Sequence, residues 1–493
     1  MAVHGGIDVS LKWTLGLLNS ANRYLTAETF QCKVTANGTT MKQKQIWTLL
    51  RHGSGIALQS HAGKFLSIDK DGNVNAAGEE IGPDQTFTLE TQDDGRVAIK
   101  SSYNRYLGGS GDSISGFFQT IDATNLFTIH LAMHPQINLF NVCRRTFCRL
   151  KDESELVCDE EIPWGSDALI ILEFHGGKYA LRASNGMVLH RNGDLVAKVN
   201  DHTLFTIVFR DTHVAFKDRE GKYLTAVGAM AKVQSRKGTI GKDELFVLMD
   251  SHPQLSLTAV ANGKLVSIRD GLEVRANQAQ ETLSDSEIFQ MEAVDRTDKS
   301  GNCKWALRGN KKKYWSANPG ITDDADSIGD KSQFVVEWLG PMIALKSATT
   351  GKYISVKTNG KMSAESAELT DDCKFVFDFI NRPLLVLRGS YGFVGVKGGS
   401  GVLECNRSQY DIFHVECKNG VFHIKGSNGK YMSVDGDGNV TITSESPVDF
   451  IFELRVHTHV VIIAPNGKFL QGAQNGSFTA KGSAISSTTL WEY

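Results

Sequence analysis

The sequence has no long apolar run and no excess of charge of either sign. No stretch approaches the roughly 18 apolar residues that a transmembrane helix requires, so membrane insertion is not expected. Lysine and arginine number 53 and aspartate and glutamate 55, which gives a formal net charge of −2. Nucleic-acid-binding proteins usually carry a strong basic excess, so this class is disfavoured. Basic clusters do occur locally within this neutral total.

Cysteine motifs and a leader segment are also missing. The eight cysteines include no C-x-x-C pair, and their spacing fits no zinc site. The first residues lack the charged and then apolar pattern of a signal peptide. We therefore expect a cytoplasmic protein whose thiols are reduced and serve as small buried apolar groups.

Motifs for catalysis, nucleotides and metals are absent as well. No nucleophile elbow, H-E-x-x-H or P-loop occurs. Segments 69–73 and 435–439 are rich in aspartate, but their glycine stands at the fourth position instead of the sixth position of a calcium loop. They predict Asp-Gly hairpin turns. The sequence thus predicts a protein that is not an enzyme, with no metal site and no cofactor.

The chain does contain a repeated phrase: glycine, lysine, an aromatic and an apolar residue, following a segment with strand-like alternation. Its clearest copies are 63–66, 221–224, 351–354, 429–432 and 467–470. Glycine is frequent, at 48 residues against 9 prolines, and it supplies the positive φ that tight turns need. Composition and phrase together predict many short strands joined by tight turns.

A second marker closes each unit, usually an aromatic that ends a short apolar phrase. Neighbouring markers are 36 to 45 residues apart, which indicates twelve units of about 41 residues. We predict that all twelve point into a core. The markers are Trp47, Phe87, Phe127, Leu169, Phe205, Phe246, Phe289, Phe334, Phe375, Phe413, Phe450 and Trp491.

The repeats predict an all-β architecture, because no segment has the i, i+3, i+4, i+7 spacing of an amphipathic helix. Units of this length fit either propeller blades or thirds of a β-trefoil, but WD40 and kelch signatures are absent. Proline-containing phrases recur every three units, and lobes of about 120 residues suit a single core. We predict four tandem β-trefoils at 1–133, 134–254, 255–381 and 382–493.

Several phrases found along the whole chain resemble fascin, the actin-bundling family built from four tandem β-trefoils. Their order and spacing carry the resemblance better than any single phrase does. The phrases are RYLTAE (23–28), KQIWTL (44–49), DKDGNV (69–74), HPQ (134–136), PWG (163–165), GKDELF (241–246), INRP (380–383), NRS-YD (406–411) and LWEY (490–493).

This resemblance implies a monomer that cross-links filamentous actin into tight parallel bundles. It implies a place in the actin cytoskeleton and in cell protrusions, without nucleic acid or membrane insertion. One actin-binding face is implied near the cleft between the first and last lobes, and a second on another part of the molecule. The first comprises Arg23, Lys42, Lys44 and Lys397, with Thr40 beside them; the second comprises Arg144, Arg145 and Lys357.

Thr40 occupies the position of a phosphorylatable serine in the family. A phosphate there would add a charge of about −1.5 to −2 beside Lys42 and Lys44, so we predict that it switches this face off. The chain departs from its relatives in two ways that lower the local charge. Gln43 interrupts the lysine run, and Gly398 follows Lys397 where relatives are usually basic.

Gln45-Ile46-Trp47 also matches the Q-x-W signature of sugar-binding trefoils, which leaves a carbohydrate-binding array as the alternative function. The aligned phrases of other units end in phenylalanine instead, at Phe87, Phe127 and Phe246. We therefore predict that Trp47 is the local core aromatic. Other basic clusters fit either a contact with an acidic partner or an ordinary solvated face. They are Arg149 with Lys151; Arg236, Lys237 and Lys242; and Lys311, Lys312 and Lys313.

Overall fold

The computed structural model describes residues 3–4, 7–8, 12–269, 271–294, 303–455 and 458–493. This part of the chain consists of short strands, one-turn 3-10 helices and loops, and it contains no α-helix. The all-β prediction is confirmed. The strands form four successive groups, each of which is a β-trefoil lobe.

The first lobe is a twelve-stranded sheet that closes on itself, because its first strand pairs with its last through Leu15 and Leu131. A short pair, Val3–His4 and Ile7–Asp8, precedes it. The strands of lobe 1 are Lys12–Leu18, Tyr24–Ala27, Val34–Gly38, Trp47–His52, Gly55–Ser60, Phe65–Ile68, Val74–Gly78, Phe87–Thr91, Val97–Ser101, Tyr106–Ser110, Ser113–Phe118 and Leu126–Leu131.

The second and third lobes repeat this closed twelve-stranded arrangement. Lobe 2 contains Gln136–Asn141, Thr146–Lys151, Glu155–Glu160, Ile170–His175, Lys178–Arg182, Val188–Leu189, Leu195–Val196, Thr206–Arg210, His213–Lys217, Tyr223–Val227, Lys232–Lys237 and Phe246–Asp250. Lobe 3 contains Gln254–Ala259, Leu265–Ser267, Arg275–Gln278, Phe289–Ala293, Lys304–Arg308, Tyr314–Asn318, Gly320–Ala325, Phe334–Leu339, Met342–Ser347, Tyr353–Val356, Met362–Ser366 and Lys374–Phe379.

The fourth lobe divides its strands between a five-stranded and an eight-stranded sheet. Its C-terminal strand pairs with both Arg388 and His459 through Glu492, which brings the end of the chain back to the start of the lobe. Its strands are Leu384–Leu385, Arg388–Gly389, Gly392–Val396, Leu403–Arg407, Phe413–Lys418, Val421–Lys425, Tyr431–Val434, Val440–Ser444, Ile451–Arg455, His459–Ile463, Phe469–Gly472, Phe478–Gly482 and Trp491–Glu492.

The repeated phrase marks a β-bulge in the hairpin of most units. The register shifts between Tyr24 and Thr26 in the first unit, and between Tyr353 and Ile354 in the ninth. A bulge bends its strand and strengthens the local twist, so the same sequence phrase produces the same bend in each unit. In several units a 3-10 turn follows the hairpin. The 3-10 turns are Phe30–Cys32, Gln43–Gln45, Pro83–Gln85, Ala123–Asn125, Lys242–Glu244, Gln280–Thr282, Asp285–Glu287, Asp330–Ser332 and Asp371–Cys373.

The twelve predicted core markers are all buried, with at most 1% of the surface of each exposed. Lobes 3 and 4 share one continuous apolar cluster, in which the ring centroids of Phe377 and Phe422 are 5.6 Å apart. Lobes 1 and 2 meet where Trp13 and Phe209 pack edge to face, with centroids 5.4 Å apart. The lobes therefore pack on one another directly.

The segments that connect the four lobes are 132–135, 251–253 and 380–383. Each is three or four residues long and lies at one of the proline-containing phrases. The exact boundaries of the lobes stay a prediction. Linkers this short leave the lobes little freedom to move apart, unlike long glycine- and serine-rich linkers.

The expectation of reduced, buried thiols is wrong for three cysteines, and two others, Cys32 and Cys417, are only partly buried. Cys148 and Cys158 are joined as a disulfide, and Cys143 is exposed. Cys148 and Cys158 are direct partners in the antiparallel register of Thr146–Lys151 and Glu155–Glu160. Because a hairpin register brings residues ten apart into contact, the linear spacing alone did not reveal the pair.

Candidate functional site

The predicted residues of lobe 1 gather at one end of the hairpin Tyr24–Ala27 and Val34–Gly38. Tyr24 is paired with Gly38, so Arg23 and Thr40 both lie just beyond that pair. Met41 is directed inward, because its sulfur and the Tyr24 ring fill the space beside the Gly16 backbone. We call Arg23, Thr40, Lys42 and Lys44 the lobe 1 patch.

The backbone of the lobe 1 patch is fixed by buried side chains. Gln45 Oε1 accepts a hydrogen bond from the Lys42 backbone N–H at 3.1 Å, and Gln45 Nε2 donates one to Thr26 Oγ1 at 3.1 Å. Trp47 is fully buried and its Nε1 donates to the Leu25 carbonyl at 3.0 Å. Both polar and aromatic residues of the Q-x-W phrase thus serve the fold, and Trp47 offers no surface on which a sugar could stack.

The charges of the lobe 1 patch are only partly available. Arg23 is exposed and Lys42 half-buried, and within the described residues neither side chain forms an ion pair. Lys44 Nζ lies 2.9 Å from Glu28 Oε2, so one of the three cations is already paired. Burial, reinforced by the nearby Lys44 charge, holds the pKa of His61 below its usual value. The Thr40 hydroxyl makes no hydrogen bond in the described part of the chain.

Lys397 lies in lobe 4, at the tip of the hairpin Gly392–Val396 and Leu403–Arg407. It is exposed, and its backbone holds a tight turn: its N–H donates to the Val402 carbonyl at 2.8 Å, and its carbonyl accepts from the Ser400 hydroxyl at 2.6 Å. No hydrogen bond or ion pair joins Lys397 to the lobe 1 patch among the residues that the structure describes. The two parts of the first predicted face are therefore separate elements.

The second predicted face is also divided between lobes. In lobe 2, the Arg144 guanidinium donates to the carbonyls of Ala226 and Gly228, while Arg145 is exposed. In lobe 3, Lys357 lies 3.7 Å from Glu365 and forms an exposed ion pair. No recorded contact in the described ranges links Lys357 to Arg144 or Arg145.

Lobe 2 brings together two basic clusters that are distant in sequence. Asn141 Nδ2 donates to the Asp243 carbonyl at 3.0 Å, which holds the turn before Arg144 against the turn that contains Lys242. A hydrogen bond from the Cys143 thiol, followed by one from Lys237, holds the pKa of Asp243 below its usual value. We call Arg144, Arg145, Arg236, Lys237 and Lys242 the lobe 2 patch; Arg236 and Lys242 are exposed.

Nothing in the linear sequence predicts this juxtaposition, but the repeat relates the turn of the lobe 2 patch to that of the lobe 1 patch. Glu244 occupies the place of Gln45: its Oε2 accepts from the Gly241 N–H at 2.8 Å, and Thr225 Oγ1 donates to its other oxygen. Thr239 stands five residues before Glu244, just as Thr40 stands five residues before Gln45. The two patches are thus carried by the same turn in two different units.

Three cations of the other two basic clusters are paired with neighbouring acids. Arg149 pairs with Asp159 and Glu160, and Lys312 Nζ lies 2.7 Å from Glu161 Oε2. Lys313 pairs with Asp326. These residues fit the solvated-face interpretation better than a contact with an acidic partner.

Sites of other kinds are not evident in the described part of the chain. No cluster of three or more His, Cys, Asp or Glu side chains there is placed to hold a metal. None of its helices has the length and apolarity to span a bilayer. The half-buried His130 and the buried His134 have pKa values lowered to about 3, mainly by desolvation, so both are neutral. They belong to contacts between lobes.

Comparison with known proteins gives one consistent result. The Fascin domain model matches residues 21–129, 137–248, 261–377 and 390–493. Fascin-2 of Bos taurus is 38% identical over 497 residues, covering 99% of each chain. Fascin of Strongylocentrotus purpuratus is 36% identical over 502 residues, covering 98% of this chain and 99% of the relative. Fascin-3 of Homo sapiens is 25% identical over 490 residues, covering 97% of each.

Proposed function

The chain belongs to the fascin family, and from this premise we propose that it cross-links actin filaments into tight parallel bundles. Bundling requires at least two filament-binding faces on a body that keeps them at a fixed separation. The observation that carries the proposal is the presence of two basic patches on the same type of turn in two different lobes, each mounted on a buried core aromatic. The protein acts as a monomer in the cytoplasm, within the actin cytoskeleton and cell protrusions.

The first face is proposed to consist of the lobe 1 patch together with Lys397. Actin filaments are acidic, so exposed cations steer the approach and set the register of the contact. Arg23, Lys42 and Lys397 are the three members whose charge is not paired within the described residues. The tight turn that carries Lys397 supports its role as a fixed contact point.

The second face is proposed to consist of Arg144 and Arg145, as the resemblance implies, enlarged by Arg236 and Lys242. These additions come from the packing of the two turns in lobe 2. Lys357 remains a proposed member that lies in another lobe. Its pairing with Glu365 makes its expected contribution smaller, because an exposed ion pair must be exchanged for a contact with actin.

Weak contacts are sufficient for this function. Each face binds a repeating filament, and a second face on the same molecule then binds at high effective concentration. The short connecting segments and the shared apolar cluster of lobes 3 and 4 support a body stiff enough for this purpose. We keep the lobe boundaries 1–133, 134–254, 255–381 and 382–493 as part of the proposal.

Phosphorylation of Thr40 is proposed to weaken the first face. The hydroxyl is half-buried at the edge of the patch and makes no hydrogen bond within the described residues, so a phosphate need not break an existing contact. A phosphate charge of about −1.5 to −2 there would offset the unpaired cations Arg23 and Lys42 and compete with Glu28 for Lys44.

Sedimentation with filamentous actin tests the proposal. We expect the protein to enter the pellet with filaments at high speed, and to bring bundled filaments into the pellet at low speed. The carbohydrate alternative predicts binding to a glycan array and no sedimentation with actin. A protein that binds filaments but never bundles them would contradict the requirement for two faces.

A further inference from the structure

The three connecting segments and the C-terminus converge at one place. We call residues 132–136, 251–254, 381–388 and 492–493 the central junction. Each connecting segment is only three or four residues long, yet its side chains reach segments about 130 to 250 positions away in sequence. The proline-containing phrases HPQ and INRP are therefore more than spacers, because they supply the polar contacts of the junction.

Gln136 joins the start of lobe 2 to the start of lobe 4. Its Nε2 donates to the Leu384 carbonyl at 2.7 Å, and its Oε1 accepts from the Val386 N–H at 2.8 Å. The side-chain amide thus satisfies one backbone carbonyl and one backbone N–H of lobe 4, as a neighbouring strand would do. His134 Nε2 lies 3.2 Å from the Val386 carbonyl and adds a third contact. All of these groups are buried.

Asn381 and Arg382 join the end of lobe 3 to the end of lobe 2. Asn381 Oδ1 accepts from the Gln254 N–H at 3.0 Å, and its Nδ2 donates to the His252 carbonyl at 2.8 Å. Arg382 donates from Nη1 to the Ser251 hydroxyl at 3.1 Å and from Nη2 to the Ser251 carbonyl at 2.9 Å. Segment 380–383 is therefore joined to residues 251–254 by four hydrogen bonds.

Arg382 also binds the last residue of the chain. Its guanidinium lies 5.3 Å from the Tyr493 ring centroid and 5.8 Å from that of Phe379, while only 1% of its surface is exposed. Burial lowers its pKa to about 10, so Arg382 is a buried cation at neutral pH. No carboxylate pairs with it among the described residues, and the two ring faces take that role.

Arg388 closes the junction against lobe 1. Its Nε donates to Glu492 Oε2 at 2.6 Å, and its Nη1 donates to the Ala132 carbonyl. Burial opposes ionisation of Glu492, but the adjacent Arg388 holds the pKa of this carboxyl below its usual value. The pair is partly buried, with 19% of the Arg388 and 22% of the Glu492 side chain exposed, so removing one partner leaves the other charge poorly solvated. Because Glu492 belongs to lobe 4 like Arg388, the pair orients the Arg388 guanidinium, and the hydrogen bond from its Nη1 to the Ala132 carbonyl links lobe 4 to the end of lobe 1.

We propose that Arg382, Arg388, Glu492 and Tyr493 are positioning residues that fix the orientation of the lobes, and hence the distance between the two filament-binding faces. Apolar packing is non-directional and tolerates rotation, whereas hydrogen bonds to buried charges specify one geometry. The predicted effect of these residues on bundling rests on the proposed function. Their predicted effect on the orientation of the lobes does not depend on it.

The test compares two arginines of equal exposure. Arg388 and Arg191 each have 19% of the side chain exposed and each binds a carboxylate, Glu492 and Asp218. Both ion pairs lie within one lobe, but Arg388 also donates to the Ala132 carbonyl at the end of lobe 1, whereas within the described residues the Arg191 side chain binds only Asp218 and Glu220 of lobe 2, so Arg191→Gln disturbs a single lobe. Small-angle X-ray scattering measures the radius of gyration without actin; a compact chain of 493 residues should give about 23 Å. Sedimentation measures filament binding and bundling separately.

We expect both variants to melt at a lower temperature than the wild type, but only Arg388→Gln to increase the radius of gyration. It should retain high-speed pelleting with actin and lose low-speed pelleting. If Arg388→Gln does not fold, Glu492→Gln replaces it, because this change keeps the shape and removes the charge. An unchanged radius of gyration for the folded variant would overturn the proposal, whatever the result with actin. Failure of the wild type to bundle would overturn the proposed function and leave the scattering test valid.

Discussion

Single residues in this chain divide sharply between those that build a lobe and those that face a partner. Trp47 and Thr40 are seven positions apart, yet Trp47 is fully buried and Thr40 lies at the surface of the patch. Gln45, between them, holds the turn by hydrogen bonds to Lys42 and Thr26. A change at Thr40 should therefore alter charge with little effect on folding.

We expect Thr40→Asp to weaken bundling severalfold, since a negative charge beside Lys42 removes about 1 kcal/mol of favourable electrostatics at an exposed site. The midpoint of thermal unfolding should stay nearly unchanged. Low-speed sedimentation and a thermal melt measure the two effects. Thr40→Val is the matched control, because it removes the hydroxyl without adding charge. Bundling at the wild-type level by Thr40→Asp would rule out the switch.

Asp323 is the second residue with a distinct expected effect. It stands opposite Trp315 in a hairpin of lobe 3, where the equivalent hairpins have Ala364 opposite Ile354 and Ala480 opposite Leu470. Only 1% of Asp323 is exposed. Burial raises its pKa to about 6, and the opposing Lys311 charge does not compensate.

Because the pKa of Asp323 is higher in the folded than in the unfolded chain, its contribution to stability is greatest below pH 4 and falls as the pH rises through 6. We expect Asp323→Ala to raise the free energy of unfolding at pH 8 relative to wild type by about 1–3 kcal/mol. The gain should shrink at pH 5. Urea unfolding at both pH values measures it, with Asp324→Ala as the exposed neighbour for comparison. An equal gain in the free energy of unfolding at both pH values would contradict the raised pKa of Asp323.

At the scale of elements, the hairpin and the 3-10 turn that follows it form one structural motif that recurs in several units. In lobe 1 this motif carries Lys42 and Lys44, and in lobe 2 it carries Lys242 beside Arg236. The N–H groups at the start of each turn are satisfied by Gln45 or Glu244, since a turn end without a partner would be costly. The turn is fixed by the fold, so its exposed positions are free to vary in charge.

Glu28 limits the charge of the lobe 1 patch, so removing it should strengthen the patch. We expect Glu28→Gln to release Lys44 and to raise filament affinity about twofold to fivefold at low salt, with a steeper loss as salt increases. Actin sedimentation at two ionic strengths measures this. Glu79→Gln is the matched control, since Glu79 pairs with Lys64 in the next unit of the same lobe. Equal gains for both variants would show that total charge, not this patch, controls binding.

At the scale of the whole molecule, the proposed function requires the lobes to hold the two proposed faces at a fixed separation. The two patches occur in lobes 1 and 2, with Lys397 in lobe 4 and Lys357 in lobe 3. Contacts at the central junction tie these lobes together. A loss on one face should therefore end cross-linking while the other face still binds.

We expect Arg23→Glu with Lys42→Glu, and separately Arg145→Glu with Lys242→Glu, to abolish low-speed pelleting of bundles. Each double variant should still bind filaments at high speed through the remaining face. All four changes together should remove both activities. Lys304→Glu with Lys331→Glu is the control, because these exposed lysines of lobe 3 belong to neither patch. Bundling by either two-residue variant would mean that the essential face lies elsewhere.

The fold could be predicted from the sequence because the patterns that specify it are local and repeated. A bulge phrase recurs in most units and a buried apolar marker in every unit, and burial of these markers is required whatever the neighbouring lobes do. All twelve markers are buried as predicted. The actin-binding assignments came from resemblance and stay predictions.

The sequence by itself determined the all-β repeat, the core and the number of lobes, since short-range periodicity encodes each of them. Tertiary structure alone decided which charges are available and how the lobes are joined. Lys44 of the 3-10 turn Gln43–Gln45 is paired with Glu28, and the register of two strands pairs Cys148 with Cys158. Arg382 and Tyr493 meet across 111 residues. Such pairings depend on distances in space that no local pattern records, because they are set only when all the strands have packed.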